Sequence, residues 1–70
     1  MQKSFKKWIL KQDKRDDQIG DLARDIKCDI ELGAKFSENS EKMKNQLLFK
    51  IDNYKVKSIL EEAFTEYSIL

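Results

Sequence analysis

Apolar residues recur at intervals of three and four in four stretches of this 70-residue chain, and this spacing places their side chains on one face of a helix. No stretch shows the alternation of apolar and polar residues that is typical of a strand. The pattern predicts an all-α protein, a compact four-helix bundle formed by residues 1–70 as one domain. The predicted core consists of Phe5, Trp8, Ile9, Ile19, Leu22, Ala23, Ile26, Leu47, Leu48, Ile51, Val56, Ile59, Leu60, Ala63, Phe64 and Tyr67.

Capping residues and interruptions of the pattern set the boundaries of the first two helices. The first helix is predicted over residues 4–11 with Ser4 as its cap, and the polar run at 12–15 predicts a loop. The second helix begins at Asp16 or Asp17, because a short carboxylate accepts hydrogen bonds from the free N–H groups of a first turn. It ends near Gly33, a residue typical of the position after a helix.

The third and fourth helices follow a longer connection. Ser37 or Ser40 is predicted to cap the third helix, whose apolar face starts at Met43. This helix ends near residues 52–53. The fourth helix, roughly residues 54–67, has the most regular spacing of apolar residues in the chain.

Several residues require a separate interpretation. Gly20 lies in the middle of the second helix, where glycine costs about 1 kcal/mol relative to alanine, so we expect a close approach there of the first helix or its Trp8. Cys28 is predicted to be a half-buried structural residue rather than a reactive thiol. Phe36 is predicted to fold back into the core as an anchor, and Tyr54 to bury its ring.

The composition excludes several kinds of chemistry. The chain has one cysteine and no histidine, so it has neither an internal disulfide nor the Cys–His or Ser–His pair of a nucleophilic site. It has no glycine-rich phosphate loop. We therefore expect no catalysis, no metal, no cofactor and no small-molecule substrate. Asp21 and Asp25 share a helix face, but we expect them to be solvated.

Charge is unevenly distributed along the chain. Residues 1–15 contain six Lys or Arg against one Asp, whereas residues 16–33 contain two against six. This asymmetry defines a candidate interaction surface at Lys6, Lys7, Lys11, Lys14, Arg15, Asp21 and Asp25. If the basic side chains, with Lys3, gathered around Trp8, they could contact nucleic-acid phosphates. If they interleaved with carboxylates, a protein partner would be favoured. A basic surface on one side and an acidic surface on another could instead join copies of the chain head to tail.

The N-terminal apolar run covers only residues 8–10, which is too short for a signal peptide or a membrane span. We therefore expect a cytoplasmic protein that does not enter a membrane. The apolar end at residues 68–70 either docks on the bundle or offers a small exposed apolar patch.

One known family has a similar pattern of residues. The stretch SFKKWILKQDKRDDQIGDLARDIKCD, residues 4–29, resembles the start of the YozE SAM-like family of small bacterial proteins, and LEEAFTEY, residues 60–67, is similar to its last helix. The matching positions are Phe5, Trp8, Ile9, Asp16, Asp17, Gly20, Asp21, Leu22, Ala23 and Asp29. The resemblance implies a fold like that of sterile alpha motifs and no established activity. Together these observations predict a non-catalytic binding or adaptor module for a protein, with nucleic-acid binding as the alternative.

Overall fold

The structure, a computed structural model of the chain, describes residues 4–69. Its elements are α1 (Phe5–Leu10), a 3-10 helix (Lys11–Lys14), α2 (Gln18–Glu31), α3 (Ser40–Lys50) and α4 (Tyr54–Ser68). No strand occurs between residues 4 and 69, which confirms the predicted all-α class. Lys3 and Leu70, named in the sequence analysis, lie outside the described residues.

Side-chain caps start the helices. The hydroxyl of Ser4 accepts a hydrogen bond from the N–H of Lys7 at 3.3 Å, and the carboxylate of Asp17 accepts one from the N–H of Gly20 at 2.9 Å. Each cap satisfies a donor that has no partner within its helix. Both residues were among the predicted caps.

The cap of α3 was predicted wrongly. Asn39, not Ser37 or Ser40, accepts the hydrogen bond from the N–H of Lys42. Ser40 is the first helical residue, and its hydroxyl accepts a hydrogen bond from the N–H of Phe5 at 2.9 Å. The hydroxyl of Ser40, predicted to cap α3, thus binds the backbone of α1 instead.

The loop predicted at residues 12–15 is mostly helical, because the 3-10 helix continues directly from α1. The side-chain amide of Gln12 donates to the carbonyl of Trp8 at 3.0 Å, which satisfies a carbonyl at the end of α1. From α2, Arg24 donates to the carbonyls of Asp13 at 2.7 Å and Arg15 at 3.1 Å. These bonds hold the turn against α2.

The core forms where α1 meets the faces of the three longer helices. Nine of the sixteen predicted core residues are buried, the other seven are half-buried against them, and Phe36 and Met43 are buried as well. The ring of Phe5 stacks on Phe64 with centroids 3.8 Å apart, and its edge contacts Tyr67 at 5.5 Å. The helices therefore share one apolar centre.

Two predictions of burial were wrong. The ring of Tyr54 is 86 % exposed, because Tyr54 begins α4 two residues before Val56, roughly 200° around the helix from the buried stripe. Cys28 is exposed for the same reason, since it lies two residues beyond the buried Ile26.

Gly20 makes the close approach that its position predicted, but with a different partner. A Cβ atom on Gly20 would lie 2.8 Å from the carbonyl carbon of Arg15, and closer still to its oxygen. The neighbour is therefore the backbone that leads into α2, not α1 or Trp8. Backbone moves less readily than a side chain, so only glycine fits here without distortion.

We expect Gly20→Ala to destabilise the protein by about 1 kcal/mol or more, because the cost of overpacking exceeds the helix preference gained by alanine. Urea unfolding measures this difference. Ser58→Ala is the control, since Ser58 is exposed in the middle of α4 and gains helix preference without a clash. A Gly20→Ala protein as stable as the wild type, or more stable, would contradict the assigned contact.

Candidate interaction surfaces

Two of the five basic residues on the predicted surface are bound within the protein. The ammonium of Lys6 donates to the carbonyl of Phe36 at 3.3 Å and lies 3.4 Å from the carboxylate of Glu38. The guanidinium of Arg15 bridges Asp17 at 2.7 Å and Glu66 at 2.5 Å. These two cations hold separate parts of the chain together, so little of their charge is available to a partner.

The other three basic residues of the predicted surface are free to contact a partner. Lys7, Lys11 and Lys14 are exposed, and none forms an ion pair with any residue from 4 to 69. Spacings of four in an α-helix and three in a 3-10 helix keep side chains on one side. These residues therefore form a lysine row along α1 and the turn that follows it.

The acidic part of the predicted surface is mixed in charge. Asp21 pairs with Arg24 on the same face of α2, and Lys27 pairs with Asp13 at 3.0 Å. Asp25 is exposed. Basic and acidic side chains thus interleave along α2. Arg24, which pairs with Asp21, also donates to the carbonyls of Asp13 and Arg15, so Asp21 lies beside the turn that ends at Arg15.

The ion pair between Arg15 and Asp17 shifts the pKa of both residues. The hydrogen bond from Arg15 lowers the pKa of Asp17 below its usual value, and the N–H of Gly20 adds to that effect. The carboxylates of Glu66 and Asp17 in turn raise the pKa of Arg15. The charged form of Asp17 is therefore favoured in the folded protein.

Phe49, which the apolar pattern did not single out, is the most exposed large apolar residue between residues 4 and 69. The ring of Phe49 is 91 % exposed and lines an open groove of about 510 Å³. Residues 34–36 form one wall of this Phe49 groove, and Asn45, Gln46, Phe49 and Lys50 of α3 form the other. Of the residues that line the groove, Phe36 is buried, whereas Phe49 is almost fully exposed to water.

Hydrogen bonds fix the wall formed by residues 34–36. Ala34 donates its N–H to the carbonyl of Asp29 at 2.9 Å, and the N–H of Ser37 donates to the side chain of Gln46 at 2.8 Å. Phe36 is buried, and the ammonium of Lys50 lies 5.2 Å from the centroid of its ring. The groove is therefore a formed feature of the fold.

A signal for Phe49 was present in the sequence. Phe49 follows the buried Leu47 by two residues, which places it roughly 200° away around α3. A large aromatic residue off the apolar stripe of a short helix is an expected surface residue, and Phe is among the residues enriched in protein interfaces.

Between residues 4 and 69, no group of three or more carboxylate, cysteine or histidine side chains is placed to hold a metal ion. No helix in this part of the chain is both long enough and apolar enough to cross a membrane.

A scan against protein-family models finds no match, and searches of curated proteins and of solved structures find none either. The resemblance to the YozE SAM-like family therefore stays a prediction.

We expect the Arg15–Asp17 pair to make stability depend on pH in the acid range. The pKa of Asp17 is lower in the folded protein than in the unfolded chain, where it is about 3.9, so its contribution is complete above that pH and is lost as pH falls through the folded pKa. Asp17→Asn keeps a capping oxygen but removes the charge. The thermal midpoint of the variant should lie below that of the wild type at pH 7, and the difference should shrink toward pH 2. A difference that stays constant with pH would contradict this assignment.

Proposed function

We propose that this chain is a small non-catalytic binding module that recognises another protein through the Phe49 groove. The observation that carries the proposal is the ring of Phe49, 91 % exposed beside an apolar groove. Burial of such a side chain contributes about 1.5–3 kcal/mol. A partner that covers the ring gains this free energy, which the folded protein alone leaves unused.

The charge arrangement supports a protein partner over nucleic acid. Lys6 and Arg15 are engaged with Glu38, Asp17 and Glu66. The carboxylates of α2 lie among its own basic side chains rather than apart from the basic end. Phosphate binding requires several free cations on one surface, and internal pairs reduce their number.

Nucleic-acid binding is the second candidate, and the lysine row is the observation that favours it. Lys7, Lys11 and Lys14 are exposed on one side of α1 and the following turn. Three such contacts would support weak binding with a strong dependence on salt.

We expect a protein partner to be captured from lysate by the wild-type chain and by Tyr54→Ala, but not by Phe49→Ala. Both substitutions remove an exposed aromatic ring. Comparing them therefore distinguishes binding at the groove from non-specific binding to any exposed aromatic side chain. The capture is run with and without nuclease at moderate salt, and circular dichroism checks that each variant is folded.

Two results would contradict the proposal. Recovery of the same proteins by Phe49→Ala would show that the groove is not the contact. Capture that disappears with nuclease, and with Lys7, Lys11 and Lys14 replaced by Glu, would favour the second candidate.

A further inference from the structure

The charged side chains that line the Phe49 groove are all basic. Lys35 stands on one wall and Lys50 on the other, and the remaining lining is apolar or an uncharged amide. Within residues 4–69, no carboxylate lines this groove. An apolar channel with cations on both sides selects partners by charge as well as by shape.

The charge of these lysines is only partly balanced by the protein itself. Lys35 is exposed and forms no ion pair with residues 4–69. Lys50 lies 3.7 Å from the carboxylate of Asp29, but about half of each side chain remains in water, and an exposed pair at this distance is weak. Glu38, the first carboxylate after Lys35 along the chain, pairs with Lys6. The groove therefore keeps a positive rim.

We propose that the Phe49 groove binds an acidic protein segment that carries one apolar anchor side chain. The anchor covers the ring of Phe49 and enters the groove, while carboxylates on either side of the anchor face Lys35 and Lys50. This inference rests on the proposed function and adds to it the chemistry of the partner.

The same charges argue against a second copy of this chain as the occupant. A two-fold contact in which each Phe49 enters the groove of the other copy brings both pairs of lysines toward each other. Like charges brought together in this way oppose association. An acidic segment from another protein meets no such repulsion.

Selection from a library of random peptides displayed on phage tests the proposal directly, because the library offers every combination of charged and apolar side chains. The wild-type protein is the target, and peptides that also bind Phe49→Ala are removed. We expect the remaining peptides to be enriched in Asp and Glu around a Leu, Ile, Phe or Trp.

The outcomes separate this inference from the proposed function. Phe49-dependent peptides that are neutral or basic would overturn the acidic partner and leave the groove as a protein-binding site. A selection that yields no Phe49-dependent peptide would contradict both. A dimer of the wild type that Phe49→Ala abolishes, seen in sedimentation, would make a second copy the occupant and overturn the inference.

The affinity of one selected peptide is then measured for two variants of the protein, each of which reverses the charge of one lysine. We expect Lys35→Glu to weaken its binding by about fivefold at low salt, with a smaller effect at high salt, because a charge at the rim acts through a screened interaction. Lys55→Glu is the control, since Lys55 is exposed at the start of α4 and does not line the groove. Fluorescence anisotropy of the labelled peptide measures both affinities. Equal weakening by the two variants would mean that net charge, rather than the groove rim, attracts the peptide.

Discussion

The packing of Phe5 is the interaction on which the rest of the structure depends. A helix of six residues such as α1 is unstable by itself in water. The chain has only one cysteine, so no internal disulfide holds this helix in place. Instead the ring of Phe5 is fully buried against Phe64 and Tyr67 of α4. The backbone N–H of Phe5 donates a hydrogen bond to the hydroxyl of Ser40 on α3. That hydroxyl also lies 3.2 Å from the hydroxyl of Tyr67. One residue thus joins three helices through apolar and polar contacts together.

The same short helix positions the candidate binding surface. Lys6, adjacent to Phe5, bonds to the carbonyl of Phe36 and so holds the wall of the Phe49 groove. With this wall and α3 in place, Phe49 lies outside the core. The ring is exposed because Phe49 lies off the buried stripe of α3, and its burial contributes nothing to the stability of the folded chain. Part of the basic N-terminal charge is used in ion pairs within the fold, and this supports the proposal of a protein partner.

Local signals in the sequence predicted the helices and most of the core, because caps and apolar spacing act within a few residues. Asp17 caps α2 as its side chain allows, and the apolar stripe of α4 packs inward. The errors have two causes: contacts outside the helix concerned, and residues that lie off the apolar stripe of their own helix. Ser40 serves α1 instead of capping α3, and the partner of Gly20 is the backbone of Arg15. Cys28 and Phe49 lie off the buried stripes of their helices, and spacing alone, applied strictly, places both outside.

Urea unfolding of Phe5→Ala and Phe49→Ala tests the central claim, that the ring of Phe5 stabilises the fold and the ring of Phe49 does not. The two substitutions remove the same atoms, and the structure places the two rings at 0 % and 91 % exposure. We expect Phe5→Ala to lower the free energy of unfolding by about 3–5 kcal/mol and Phe49→Ala to change it by less than about 0.5 kcal/mol. A loss at Phe49 comparable to that at Phe5 would contradict the account, because it would place Phe49 in the core.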